Sequence, residues 1–157
     1  GPVTGYAFHE KSYSNIIKDV GVVSPAPVEV VLTLLQNTGN GSVSAQTCQA
    51  VYDYLQPYRP LTDALTVQSA QIITFSVNAT LVLDNTLDTA LVLGAARTSL
   101  ENYVSARHRL GARVVESGIH AALTVAGVEE VTLTNWSDII CSESQAPYCS
   151  TMNIAEG

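Results

Sequence analysis

The sequence predicts an α+β protein made of two small units, each a mostly antiparallel sheet covered by helices. Apolar residues alternate with polar ones over several short stretches, as in half-buried strands. Other stretches carry apolar residues at helical spacing, and turn-forming residues separate the two kinds of stretch. With 157 residues, 46% of them apolar and 13% charged, the chain is able to bury a core. The units are predicted at residues 1–69 and 70–157.

The first unit is predicted to have the order αββαβ. Pro25 and Pro27 lack a backbone N–H donor, so they belong in the connection between two hairpin-like strands. Ser44 follows a turn-forming stretch, and its hydroxyl can cap the next helix. In sequence order, the predicted elements are a helix at 10–17, strands at 18–24 and 28–36, a helix at 45–56, and a strand around Leu65 and Val67.

The second unit is predicted to have the order βα(β)αββ. Its first strand, 72–84, would measure about 43 Å if fully extended, so a bend or bulge is expected. Asn85 or Thr86 is expected to cap the following helix, and Gly111 and Gly127 are expected to end the two helices. The predicted elements are a strand at 72–84, a helix at 87–110, an extended piece at 113–115, a helix at 117–125, and strands at 128–135 and 148–155, with an irregular segment at 136–147.

The composition argues against several classes of partner. Seven basic and fourteen acidic residues give a formal charge of -7, the wrong sign for a protein that binds nucleic acid by neutralising phosphates. No apolar run approaches the roughly 20 residues that cross a bilayer, so no membrane partner is expected. Because the sequence also contains no nucleotide-binding glycine motif or metal-ligand spacing, no cofactor, metal or small-molecule substrate is predicted.

The three cysteines form neither a disulfide framework nor a CxxC metal-binding pair. Cys48 lies in a helical stretch and is predicted to be buried, as free cysteines usually are. Cys141 and Cys149 are close enough in sequence to bridge a loop, but a protein made in the cytoplasm would keep them reduced. Whether these two cysteines pair stays open at this point.

Few side chains offer catalytic chemistry. In a functional interpretation, His120 is a general base partnered by Glu116 or Asp63, because histidine titrates near neutral pH. We favour the alternative that His120 is an ordinary helix residue, because no nucleophile or carboxylate falls at a spacing that forms a relay. No catalytic residue is therefore predicted, and a small enzyme or ligand-binding domain is the less favoured hypothesis.

Seven side chains are candidates for a protein interface because they are aromatic or arginine, two types that are enriched at such interfaces. They are Tyr54, Tyr58, Arg107, Arg109, Arg113, Trp136 and Tyr148. The aromatic residues are alternatively the rim of a core, and the arginines alternatively complement the dipole at the end of a helix. These alternatives stay open on sequence alone.

Several stretches, in their order and spacing, resemble one protein family. They are KDVGVVSPAPVEVVLTLL, RPLTDALTVQSA, LENYVSARHRLGARVVESGIHAALTVAGVEEVTL and QAPYC. The similarity covers nearly the whole chain, and the ordered set is more specific than any single piece. The chain resembles the C-terminal portion of the baseplate assembly protein J family of contractile-tailed bacteriophages.

This resemblance implies a structural, non-enzymatic component of the baseplate wedge. The implied partners are other baseplate and wedge proteins and copies of the chain itself. The implied location is the virion tail baseplate, after assembly in the host cytoplasm, with a β-rich region preceding this chain. A component of a related bacterial contractile injection or secretion system is an alternative that the sequence does not separate from a phage tail.

Overall fold

A computed structural model describes residues 16–58 and 64–157, and this part of the chain contains eight β-strands and three α-helices. The predicted α+β class is confirmed. The chain divides into two units, and two short segments from late in the sequence belong to the first one. The first unit holds residues up to 72, 109–111 and 141–146, and the second holds 73–108, 112–140 and 147–157. The predicted domain boundary between residues 69 and 70 stays a prediction.

The first unit contains a three-stranded sheet in the order β1-β2-β3. Its elements are β1 Ile17–Val23, β2 Glu29–Gln36, helix α1 Ala45–Leu55 and β3 Ala64–Ser69. β1 and β2 form the predicted antiparallel hairpin, with Val20 opposite Leu34. β2 and β3 run parallel, with Val30 opposite Leu65, so this sheet is mixed and not mostly antiparallel. The parallel pairing arises because α1 forms a crossover connection between β2 and β3.

The core of the first unit lies between α1 and one face of this sheet. Its fully buried side chains include Leu32, Leu34, Val51 and Leu55. Cys48 is buried in the same cluster, as predicted. The predicted cap is confirmed, because the side chain of Ser44 accepts a hydrogen bond from the backbone N–H of Thr47 at 3.1 Å. The helix ends before Pro57 and continues as a 3-10 turn, Gln56–Tyr58.

The second unit is built around a three-stranded sheet in the order β6-β4-β8. The strands are β4 Gln71–Leu83, β6 Val128–Leu133 and β8 Gln145–Glu156. The register between β4 and β6 shifts between Val82 and Leu83, which is the predicted irregularity. β8 begins at Gln145, earlier than the predicted Tyr148. Every second residue of β4 faces the core, since its buried residues are Phe75, Val77, Ala79, Leu81 and Leu83.

Two helices pack on this sheet, α2 Thr89–Arg107 and α3 Glu116–Leu123. Their buried contributions to the core are Val92, Ala96, Leu100, Ile119 and Leu123. The small strand predicted between the helices is confirmed as β5 Arg113–Val114. It pairs antiparallel with β7 Ile139–Ile140, which lies inside the segment predicted to be irregular.

The predicted N-cap of the long helix is wrong. Neither Asn85 nor Thr86 caps α2, which begins after Asp88, whose carboxylate accepts a hydrogen bond from the backbone N–H of Leu91 at 3.3 Å. The carboxylate of Asp84 accepts hydrogen bonds from the N–H and the hydroxyl of Thr86 at 3.0 and 2.6 Å. Thr86 is therefore held in the preceding turn, and the helix starts later.

The predicted helix terminators are also displaced from the helix ends. The C-cap of α2 is His108 and that of α3 is Thr124. Gly111 and Gly127 lie in the turns that follow, with φ of 72° and 92°. Glycine adopts this left-handed conformation without the steric cost of a Cβ, so both residues shape the return of the chain and do not end the helices themselves.

The helix predicted at 10–17 falls mostly outside the described residues. Ile16 lies in a turn and Ile17 begins β1, so that helix does not extend to Ile17. None of the helices within the described part of the chain is both long and apolar enough to cross a bilayer.

Candidate protein interface

The two predicted interface tyrosines at the end of α1 form a ring pair. The ring centroids of Tyr54 and Tyr58 are 5.7 Å apart, and the rings are tilted by 41°. Tyr58 is 49% exposed, whereas Tyr54 is half-buried against the core of the first unit. Partial burial, followed by the neighbouring Tyr58, raises the pKa of Tyr54 above its ordinary value. Tyr58 is therefore the more exposed ring of the pair.

The indole ring of Trp136 is held by a ring contact and by a hydrogen bond. It makes an edge-to-face contact with Phe75 in the core, with ring centroids 5.8 Å apart. Its indole N–H donates a hydrogen bond to Asp138 Oδ1 at 2.8 Å. The side chain remains only half-buried. Trp136 thus lies at the rim of the core and also presents a fixed, partly exposed aromatic surface. The core-rim and the interface interpretations each describe part of its environment.

Tyr148 borders a small cavity in the second unit. Its ring lies 5.5 Å from that of buried His108, measured between centroids. The cavity has a volume of about 190 Å³ and is lined by Glu101, Val104, Ser105, His108, Tyr148 and Cys149. Tyr148 is therefore half-buried and in contact with the end of α2, which restricts its ring orientation.

The three predicted arginines do not form one cluster within a single unit. Arg109 belongs to the first unit, and Arg107 and Arg113 belong to the second. Arg109 and Arg113 are exposed, whereas Arg107 is half-buried at the last position of α2 and its buried Nε has no hydrogen-bond partner. Among residues 16–58 and 64–157, no carboxylate lies within ion-pair distance of these three guanidinium groups. Arg107 suits the helix-dipole interpretation, whereas Arg109 and Arg113 are exposed side chains.

The alternative catalytic pair is a surface pair. His120 Nε2 lies 3.5 Å from Glu116 Oε1, with side-chain exposures of 38% and 61%. Asp63, the other proposed partner, lies outside the described residues. The open concavity around the pair is lined by Val115, Glu116, Ser117, His120 and Asp138. The pair is an exposed i,i+4 contact on α3, and its 3.5 Å separation is longer than the separation of about 2.7–3.2 Å in a good hydrogen bond.

The cysteines are free thiols. Cys48 and Cys141 are buried and Cys149 is half-buried. Burial raises the pKa of Cys141 and of Cys149, so both thiols are held in the protonated form near neutral pH. No group of three or more histidine, cysteine, aspartate or glutamate side chains within the described residues is arranged to hold a metal ion.

Sequence reasoning missed a groove in the first unit. It has a volume of about 430 Å³ and runs between α1 and β3. From α1 and its approach, the groove is lined by Val43, Ala45, Cys48, Gln49 and Tyr52. From β3 it is lined by Leu65, Thr66, Val67, Gln68 and Ser69. One feature of the sequence could have indicated this groove. β3 contains no charged residue, which is unusual for a strand at the edge of a sheet.

Comparison with known proteins gives three results. Residues 75–155 match the family model described as the Baseplate J-like protein C-terminal domain. The chain is 36% identical, over 160 aligned residues and its whole length, to Baseplate protein J of Escherichia phage P2. It spans 53% of that relative, so it corresponds to about half of the length of the curated protein it matches.

A solved structure has the same fold. It is the cryo-EM structure of the anti-feeding prophage baseplate, with a TM-score of 0.69 and 15% sequence identity, covering 92% of this chain and 36% of the matched chain. At that identity the likeness concerns the fold alone. The family resemblance seen in the sequence is confirmed by the family model and by the phage relative, and the chain belongs to the baseplate J family, with residues 75–155 matching the model of the family's C-terminal domain.

Proposed function

We propose that this chain is a structural module of a contractile-tail baseplate that acts by docking onto other proteins and catalyses no reaction. The observation that carries the proposal is the 36% identity, along the whole chain, to a phage protein named for the baseplate. The exposed position of His120 and Glu116 supports the non-catalytic part, because an acid–base pair that is open to water is poorly preorganised for chemistry.

The proposed partners are other baseplate and wedge proteins and copies of the same protein. The proposed place of action is the tail baseplate of the particle, after assembly in the cytoplasm of the host. A phage tail is favoured over a bacterial injection system because the relative that shares 36% identity along the whole chain is a phage protein.

The proposed docking residues are exposed or partly exposed side chains whose orientation is restricted by neighbouring rings. Tyr58 is exposed beside Tyr54, and Trp136 and Tyr148 are partly exposed and held by ring contacts. A preordered aromatic ring loses little conformational freedom when it is buried in an interface, which favours affinity. Exposed arginines, here Arg109 and Arg113, add hydrogen bonds to acidic partners, and Arg107 is the weakest of the candidates.

Complementation of a phage or prophage from which the gene has been deleted tests this proposal. The complete gene product that carries this chain is supplied in trans, particles are purified, and their protein content and tail morphology are measured by mass spectrometry and electron microscopy. We expect this chain in tail particles and a loss of baseplates in its absence. Intact tails without the protein would contradict the proposal.

Two variants separate docking from catalysis. Tyr58→Ala is expected to reduce the yield of complete baseplates, because it removes an exposed anchor without emptying the core. His120→Ala serves as the matched surface control and is expected to leave both tail assembly and infectivity unchanged. Tails that assemble normally with His120→Ala but are inactive would favour the enzymatic alternative.

A further inference from the structure

We propose that the groove between α1 and β3 is a docking site for an extended, uncharged segment of a partner polypeptide, which adds to the first sheet as an additional strand. The inference rests on the proposed docking function and deepens it by naming the surface and the form of the partner segment. All groove residues belong to the first unit, so the site depends on that unit alone.

The outer edge of β3 offers backbone groups for such a strand. The N–H groups of Ala64 and Ala70 donate to carbonyls on the β2 side, at 2.6 and 2.8 Å. Because backbone groups alternate in direction along a strand, those of the odd-numbered residues point away from β2. Within the described residues β3 pairs with β2 alone. The N–H and C=O groups directed to the outer edge are therefore those of Leu65, Val67 and Ser69.

The groove follows this edge and does not lie over one face of the sheet. Side chains alternate between the two faces of a strand, so a cavity over one face contacts every second residue. The groove is lined by the consecutive residues Leu65 to Ser69. Such continuous contact is the geometry of a channel along the strand edge, with α1 as its opposite wall.

β3 lacks two of the features that usually protect an exposed edge, namely charged residues and proline. Edge strands are commonly protected by charged residues or proline. β1, at the other edge of the same sheet, contains Lys18 and Asp19, and β6, an edge strand of the second sheet, contains Glu129 and Glu130. The sequence of β3 is ALTVQS, without charge or proline. As far as residues 16–58 and 64–157 show, its outer edge pairs with no strand and is therefore suited to strand addition.

The groove lining specifies the chemistry of the segment. Val43, Cys48 and Leu65 form an apolar floor, with exposures of 6%, 8% and 9%. Polar but uncharged side chains, Gln49 and Gln68, stand beside them. An uncharged segment with apolar side chains at alternate positions fits this lining. Its main chain would hydrogen-bond to the edge of β3, and its apolar side chains would contact the floor. Strand addition gains affinity from main-chain hydrogen bonds and specificity from alternate side chains. A compact small molecule would leave most of the edge unpaired.

The test uses the 157-residue chain and peptides selected against it from a phage-displayed library of random nonapeptides. A selected peptide is synthesised with a fluorophore, and its Kd is measured by fluorescence anisotropy. Three variants are compared with the wild type. Val67→Pro removes an outward N–H and leaves the β2 pairing intact, as proline is tolerated at such an edge position. Ala45→Glu places a carboxylate in the groove, and Gln46→Glu places one on the same helical turn outside it.

We expect the Kd to rise roughly tenfold or more in Val67→Pro and Ala45→Glu, and less than about twofold in Gln46→Glu. Amide hydrogen exchange at Leu65 and Val67 should slow when the peptide binds. If Val67→Pro does not fold, the comparison of peptide Kd between Ala45→Glu and Gln46→Glu tests the proposal. Both variants should fold, because a glutamate in the first turn of a helix is well tolerated.

The proposal would be overturned if the selection yields no peptide, or if peptide binding is insensitive to Ala45→Glu. It would also be overturned if amide exchange at Leu65 and Val67 slows with protein concentration in the absence of peptide. That result would assign the edge to a second copy of the chain. Incorporation of the protein into tails separates this failure from failure of the proposed function. Tails that contain the protein while peptides ignore the groove reject the groove alone.

Discussion

The carboxylate of Asp138 accepts a hydrogen bond from the indole N–H of Trp136 at 2.8 Å, and the same oxygen accepts one from the backbone N–H of Glu116 at 2.9 Å. Glu116 is the first residue of α3, and the N-cap residue, Val115, has no side chain that can accept a hydrogen bond. Asp138 therefore caps α3 from a distant position in the sequence and, through the same atom, fixes a candidate interface ring.

Substitution of Asp138 tests this double role. Asp138→Ala removes the acceptor of both hydrogen bonds, and we expect the free energy of unfolding to fall by about 1–2 kcal/mol. Asp138→Asn retains an oxygen at the same position and should cost less. Urea denaturation followed by circular dichroism measures both changes. Equal losses in the two variants would show that the charge, and not the hydrogen-bond acceptor, is what matters.

The helical glycines Gly94 and Gly118 are expected to respond oppositely to substitution by alanine. Gly94 in α2 is exposed, with open space where a Cβ would stand, so Gly94→Ala should raise the free energy of unfolding by about 1 kcal/mol through helix propensity. At Gly118 in α3 a Cβ would collide with the ring of Tyr103, so Gly118→Ala should lower it. Thermal unfolding of both variants gives the comparison.

A second substitution identifies the cause of the loss at Gly118. Tyr103→Leu shortens the side chain that meets the added Cβ, so the double variant Gly118→Ala with Tyr103→Leu should lose less stability than the two single losses added together. Additive losses would mean that the two positions do not interact, and would contradict the close contact between Gly118 and Tyr103.

Local patterns predicted much of the fold. β4 was predicted because apolar and polar residues alternate along most of its length, and a strand with one buried face has a fixed period of two. The Ser44 cap was predicted because a hydroxyl directly before a helix can reach its free N–H groups. Asp88 was not among the predicted caps of α2. The turn in which Asp84 holds Thr86 before the helix depends on backbone geometry, which the sequence does not show directly.

Features made by distant residues were not predicted. The parallel pairing of β2 with β3 follows from strand order, which apolar periodicity does not specify. The cap of α3 by Asp138 joins residues 22 positions apart. The groove along β3 needs both the open edge and α1 opposite it, so no single stretch of sequence contains it. The interface residues Tyr58 and Trp136 were proposed by residue type, and their docking role stays a prediction.

Asp84 should contribute to the way the free energy of unfolding depends on pH in the acidic range. Hydrogen bonds from the side chain and the backbone of Thr86 lower the pKa of Asp84 below its ordinary value of 3.8. Because the folded pKa is the lower one, this contribution is present above pH 3.8 and is lost as the pH falls through the folded pKa. Carboxyl carbon NMR during an acid titration measures that pKa directly.

Thr86→Ala is the control for this titration. It removes the hydroxyl but keeps the backbone N–H, so the pKa of Asp84 should return only part of the way towards its ordinary value. An unchanged pKa in Thr86→Ala would contradict the assignment of the shift to the hydroxyl.

The thiols provide a test of both burial and pairing. Since burial raises the pKa of Cys141 and Cys149, the reactive thiolate is scarce near neutral pH, and both should react slowly with Ellman's reagent in the folded protein. Their reaction should accelerate as the pH is raised. In denaturant without reductant, all three cysteines, Cys48 included, should react as free thiols. A single reactive thiol under those conditions would mean that two cysteines had formed a disulfide, and it would contradict the free state of Cys141 and Cys149.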